Sequence, residues 1–115
     1  MLDRILRVTM LYDFYGALLT EKQRSYVEMH YLNDLSLSEI AEETHISRQA
    51  VHDNVRRAET ALEEYEQALK LVERHEANRS AIRQALVQLE SLPVEIRQLS
   101  DIKEPINLLR SLLVP

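Results

Sequence analysis

Between Gly16 and Pro93 the chain contains neither glycine nor proline. Strand pairing relies on tight turns, and those turns draw on the positive-φ freedom of glycine and the fixed φ of proline. With both absent from residue 17 to residue 92, turns there must use Ser, Thr, Asn, Asp and His. Those residues serve best as helix caps, so the fold class is all-α. The 115 residues suffice for a helical core without covalent staples. No cysteine is present, which removes disulfides, thiolate metal sites and thiol nucleophiles and suits a reducing compartment. Asp3, Arg4, Arg7 and Asp13 interrupt the apolar N-terminal residues, so no signal-peptide core forms. No apolar run approaches the roughly 20 residues needed to cross a bilayer. The expectation is a cytoplasmic chain without membrane insertion.

Helical periodicity divides the sequence. Leu2, Ile5, Leu6, Val8, Leu11, Tyr12 and Tyr15 form a stripe over residues 2–15, and Gly16 marks its stop. Thr20 to Gln23 has the capping-box pattern and opens a helix that buries Tyr26, Val27 and His30 or Tyr31. Ser36 to Glu39 repeats the pattern before a short helix reaching Thr44, and Ser47 caps a further helix from Arg48. Val51, Val55, Ala58, Leu62, Tyr65, Leu69 and Val72 then alternate spacings of four and three, the seam of a coiled coil. The seam lapses over Glu73–Ser80, where a break near Asn78 and a hairpin are expected, and Ile82, Leu86 and Leu89 resume it. Pro93 ends that helix. A capping pattern from Asp101 to Glu104 precedes Pro105 and a last stripe of Ile106, Leu109, Leu112 and Leu113. The expected organisation is a helix-turn-helix domain over residues 1–70 and a C-terminal helical extension over residues 71–115. The extension either packs on that domain or forms a dimer interface.

The informative stretch is LSEIAEETHISRQAVHDNVRR, from Leu37 to Arg57. Two helices meeting steeply need a small residue at their contact, which Ala41 supplies. Ile40, Ile46 and Val51 are spaced to share a core. Arg48, Gln49, His52, Asp53 and Arg56 are left on the outer face near the start of the second helix, the part of a recognition helix that reaches base edges. Arg pairs with guanine and Gln with adenine bidentately, while Arg57 suits a phosphate. His45 stands where glycine usually makes the turn, so a left-handed histidine is expected there.

The order of these motifs resembles region four of bacterial sigma factors, from Leu19-Thr20 and Gln23-Arg24 to Arg57-Ala58 and Leu62. It is closer still to the YlxM-type proteins, through Phe14 to Thr20, Ser47 to Asn54, and Glu63 to Glu66. The resemblance spans roughly residues 10–70. It implies a regulatory or accessory role beside the signal recognition particle GTPase and its receptor, and brings no catalytic residue with it.

Charge weighs against a general DNA binder. The formal net charge is −5, and neither residues 1–60 nor residues 61–115 are basic. Locally, three arginines face one aspartate between Arg48 and Arg57. Two functions therefore stand: a sequence-specific DNA-binding regulator acting as a homodimer, and a protein-interaction accessory factor of the signal recognition particle GTPase or its RNA. For the face itself the plainer reading is a solvated helix surface. His30, His45, His52 and His75 never form an i, i+4 pair with a third ligand nearby, so no metal site is implied. Glu59, Glu63, Glu64 and Glu66 read as a solvated acidic face, and the five tyrosines as core or boundary residues. Nothing implies an enzyme or a cofactor.

Overall fold

The computed structural model describes residues 2–114, and every regular element among them is helical. Two compact units follow one another in sequence, residues 1–72 and residues 73–115.

In the first unit α1 spans Leu2–Tyr15 and passes into a 3₁₀ turn over Gly16–Leu18. Gly16 serves by its lack of bulk, since a Cβ there would meet the ring of Tyr12 at 3.0 Å. Thr20 and Gln23 complete the expected capping box, with bonds of 3.1 and 3.0 Å, and open α2 over Glu21–Val27. This helix widens into a π turn over Glu28–Leu32, where the N–H of Asn33 reaches the carbonyl of Glu28. Such widenings change which side chains face inward. Here Tyr26 and Val27 are buried, whereas His30 and Tyr31 are only half-buried.

The short helix α3, Leu37–Thr44, and the long helix α4, Arg48–Leu69, complete the unit. The seam of α4 is taken up within the chain. Ala58 and Leu62 pack in one core with Val8, Leu11, Tyr15, Leu19, Val27 and Val72. Val51 and Val55 pack in a second core with Tyr26 and Ile40. Leu69 alone of the seam lies exposed.

The expected break near Asn78 is not found. The helix α5 runs unbroken over Leu71–Glu90, and the interruption falls at Lys70, whose φ of 55° is left-handed. Residues 73–80 hold no breaker and are mostly good helix formers, so loss of the apolar seam does not end the helix. At Lys70 the stop is tertiary. The N–H of Lys70 closes on the carbonyl of Glu66 at 2.8 Å. The next two amides, of Leu71 and Val72, donate to the hydroxyl of Tyr15 and the carboxylate of Glu66.

In the second unit α5 is followed by a short helix, α6, over Val94–Arg97, and by α7 over Ser100–Leu113. Leu86 and Ile106 are buried, while Ile82, Leu89, Ile102, Leu109 and Leu113 are half-buried around them. Arg110 pairs with Glu90 at 3.2 Å, and Arg79 donates to the carbonyl of Leu113 at 2.9 Å. The final helix starts earlier than its capping pattern suggested. Asp101 lies in its first turn and Pro105 lies inside it. The hydrogen bond that Pro105 cannot donate is lost at an exposed position, so the helix tolerates the ring.

Candidate nucleic-acid interface

Three local devices set the angle between α3 and α4. Ser36 and Glu39 form the capping box that starts α3, with bonds of 3.1 and 3.0 Å. The backbone N–H and then the hydroxyl of Ser36 hold the Glu39 carboxyl below its ordinary pKa. At the far end His45 takes the left-handed conformation, φ 60° and ψ 37°, and its N–H returns to the carbonyl of Ala41. Ser47 then stands extended and accepts the N–H of Ala50 at 3.1 Å, so α4 begins at Arg48.

Ile40 and Val51 are fully buried where the two helices meet, with Ala41 packed against them. Ile46 departs from expectation. It is 36% exposed and lies outside the core that Ile40 and Val51 share. The sequence shows apolar spacing but not this exposure.

All six candidate residues, Arg48, Gln49, His52, Asp53, Arg56 and Arg57, are exposed over the first three turns of α4. They are not equally free. The Nε2 of Gln49 donates to Oδ1 of Asp53 at 3.1 Å, and the Nδ1 of His52 lies 3.8 Å from that same oxygen. Arg57 reaches Asn54 at 3.5 Å, the limit of a hydrogen bond. Among the described residues Arg48 and Arg56 make no side-chain hydrogen bond or ion pair. Two guanidinium groups therefore stand open to an external acceptor.

Beyond Arg57 the acidic residues form the expected solvated face only in part, with Glu63 and Glu64 exposed but Glu59 and Glu66 not. Glu59 is only 13% exposed at its side chain, where Arg4 meets it at 2.5 Å and the Tyr31 hydroxyl donates to it. Arg7 grips Glu63 through two bonds, of 3.0 and 2.9 Å. Glu66 is buried and accepts the Tyr15 hydroxyl. Sequence reasoning missed Arg4, Arg7 and Tyr31 as neighbours of this surface. The available signal was a match of spacing, with Arg4 and Arg7 one turn apart on α1 and Glu59 and Glu63 one turn apart on α4.

Beside the face lies a groove of about 680 Å³, lined in part by Ile5, Leu35, Leu37 and Val55, by His52 and Arg56, and by the acidic Asp34, Glu39 and Glu59. Burial in its wall, reinforced by Glu59, raises the Tyr31 hydroxyl to a pKa of about 12. The charge of the two units differs. Residues 1–72 carry eight basic and thirteen acidic side chains, whereas residues 73–115 carry six of each.

Comparison with known sequences adds a family. Residues 2–102 match the family UPF0122, described as "Putative helix-turn-helix protein, YlxM / p13 like". The chain belongs to this family. A UPF0122 protein of Shouchella clausii is 60% identical over 82 residues, covering 71% of this chain and 75% of that protein. One from Halalkalibacterium halodurans is 57% identical over 86 residues, covering 75% and 78%. One from Bacillus mycoides is 44% identical over 110 residues, covering 93% of this chain and all of its own. The UPF0122 match extends well past the 10–70 span of the motif resemblance, and takes in α5, α6 and the first turn of α7. Among the described residues no helix is long and apolar enough to cross a membrane.

Proposed function

We propose that this UPF0122 protein is a DNA-binding regulator whose helix α4 enters the major groove by its N-terminal turns. One observation carries the reading. Arg48 and Arg56 are exposed and unengaged on the first turns of a helix whose start is fixed by the Ser47 cap and the left-handed His45. That is the geometry in which a recognition helix offers side chains to base edges. Arg48, Gln49 and His52 read bases, and Arg56 with Arg57 holds phosphates. Pairing of Glu59 with Arg4 and of Glu63 with Arg7 supports the reading, since it removes two carboxylates that would otherwise repel the duplex. The role is regulatory rather than catalytic.

The active species in this reading is a dimer, which sets the spacing between half-sites. Because the α4 seam is covered within the chain, pairing falls to residues 73–115. Their charges balance, and Leu108 and Leu112 lie one turn apart on α7, 64% and 56% exposed.

A second reading makes the protein an accessory factor of the signal recognition particle GTPase or its RNA. The groove beside α4, whose lining includes Asp34, Glu39 and Glu59, and the acidic excess of residues 1–72 favour it, since both suit a basic protein partner. A pull-down with wild-type and Arg56→Glu/Arg57→Glu protein, analysed for nucleic acid and for protein, separates the two. Loss of bound DNA from the variant supports the regulator. Capture of the GTPase by both forms, with DNA on neither, supports the accessory factor.

A further inference from the structure

Asp53 is the one acidic side chain on the exposed face of α4 between Arg48 and Arg57, and it lies amid the residues proposed to meet DNA. A carboxylate among phosphates weakens general attraction, so its presence there needs a reason. The geometry supplies one. Oδ1 of Asp53 accepts the amide of Gln49 at 3.1 Å and lies 3.8 Å from Nδ1 of His52, so one oxygen faces both polar neighbours.

We infer that Asp53 is a positioning and selectivity residue: it fixes the amide sense of Gln49 for base reading and suppresses binding to unspecific DNA. The inference rests on the DNA-binding reading and assigns Asp53 a role within it. A carboxylate accepts hydrogen bonds only, so the NH₂ end of Gln49 must turn to Asp53. One N–H of that NH₂ is held, and the second N–H and Oε1 remain available outward. Those two groups are what adenine pairs with, at N7 and at the N6 amino group. Without Asp53 the amide rotates freely, either end faces the groove, and the preference for adenine decays. The negative charge acts separately. It offsets part of the attraction of Arg48, Arg56 and Arg57 for any duplex, an effect that only a correctly read site overcomes.

The test is selection from a random duplex library with wild type, Asp53→Ala and Asp53→Asn, with binding to an unselected duplex measured in parallel. Asp53→Ala should lose preference at one base pair of the selected motif, and bind the unselected duplex about three- to tenfold more tightly at low salt. Asp53→Asn keeps an acceptor but not the charge. It should retain a base preference between those of wild type and Asp53→Ala, and share the tighter unselective binding. A melting temperature within about 2–4 °C of wild type for both variants excludes a merely structural effect of an exposed i, i+4 pair. If Asp53→Ala selects the wild-type motif and binds unselected DNA no better, the inference is wrong while the DNA-binding reading stands. If wild type itself enriches no motif, that reading fails and the role of Asp53 falls with it.

Discussion

The hydroxyl of Tyr15 lies 2.5 Å from Oε1 of Glu66, a bond between residues 51 apart in sequence. The same hydroxyl accepts the N–H of Leu71 at 3.0 Å, and Oε1 of Glu66 accepts that of Val72 at 3.1 Å. Unpaired amides at a helix start normally find a Ser, Thr, Asp or Asn cap from the local sequence. Here α5 is capped from α1 and α4, which is how the chain turns at Lys70 without glycine or proline.

Tyr15→Phe should therefore loosen the start of α5 without disturbing the apolar core around the ring. Removing the hydroxyl leaves the Leu71 amide and one lone pair of Glu66 without their partner. The melting temperature should fall by about 5–15 °C, and amide exchange at Leu71 and Val72 should accelerate. An unchanged melting curve with unchanged exchange at both amides would show that the cap is incidental.

Alkaline pH should unfold the first unit for a traceable reason. Burial, reinforced by hydrogen bonds to Glu28 and Glu59, raises the hydroxyls of Tyr12 and Tyr31 to pKa values of about 12. A pKa raised on folding means that the fold favours the neutral phenol. The contribution is then complete below the ordinary tyrosine value near 10, and is lost as pH rises through the folded value. Thermal melts from about pH 9 to pH 12 should show falling stability, with a shallower fall for Tyr12→Phe/Tyr31→Phe. An equally steep fall in the double variant would locate the alkaline sensitivity elsewhere.

The helix-turn-helix angle depends on a left-handed residue that carries a Cβ. His45→Gly should stabilise the fold by about 0.5–1 kcal/mol, and His45→Val should destabilise it by about 1–2 kcal/mol. Urea titrations of the three proteins check the order. Equal midpoints would mean that the turn relaxes freely, leaving α4 without a fixed approach.

Much of this architecture was legible in the sequence, and what escaped shares one cause. The all-α class, the helix over residues 2–15, the caps at Thr20, Ser36 and Ser47 and the left-handed His45 all follow from neighbours within four residues. The break at Lys70, the burial of Glu66 and the pairing of Glu59 with Arg4 depend on partners more than fifty residues away. Spacing on one helix cannot show what the facing helix carries. Hence the acidic run from Glu59 to Glu66 read as solvated, although two of its carboxylates are largely covered and a third is clasped by Arg7. For the candidate interface, sequence order identified the six exposed residues, and the structure added how Asp53 engages its neighbours.

Assembly through the second unit is open to direct test. Leu108→Glu/Leu112→Glu places two charges on the exposed stripe of α7, away from the buried Leu86 and Ile106. Sedimentation should show a dimer for wild type and a folded monomer for the variant. A wild-type monomer at high concentration, or a variant dimer, would remove this face from the proposed pairing.

The most direct test of the DNA-binding account is fluorescence anisotropy on random and genomic-fragment duplexes across a salt series. Arg48, Arg56 and Arg57 are the basic residues on the proposed face, so few phosphates can be neutralised. At about −0.9 in log affinity against log salt per contact, the slope should be roughly −2 to −3 for one chain and about twice that for a dimer. The account predicts weak, shallow-sloped binding to random DNA and markedly tighter binding to some fragments. No fragment bound above random at low salt, beside firm binding of the signal recognition particle GTPase or its RNA, would contradict it.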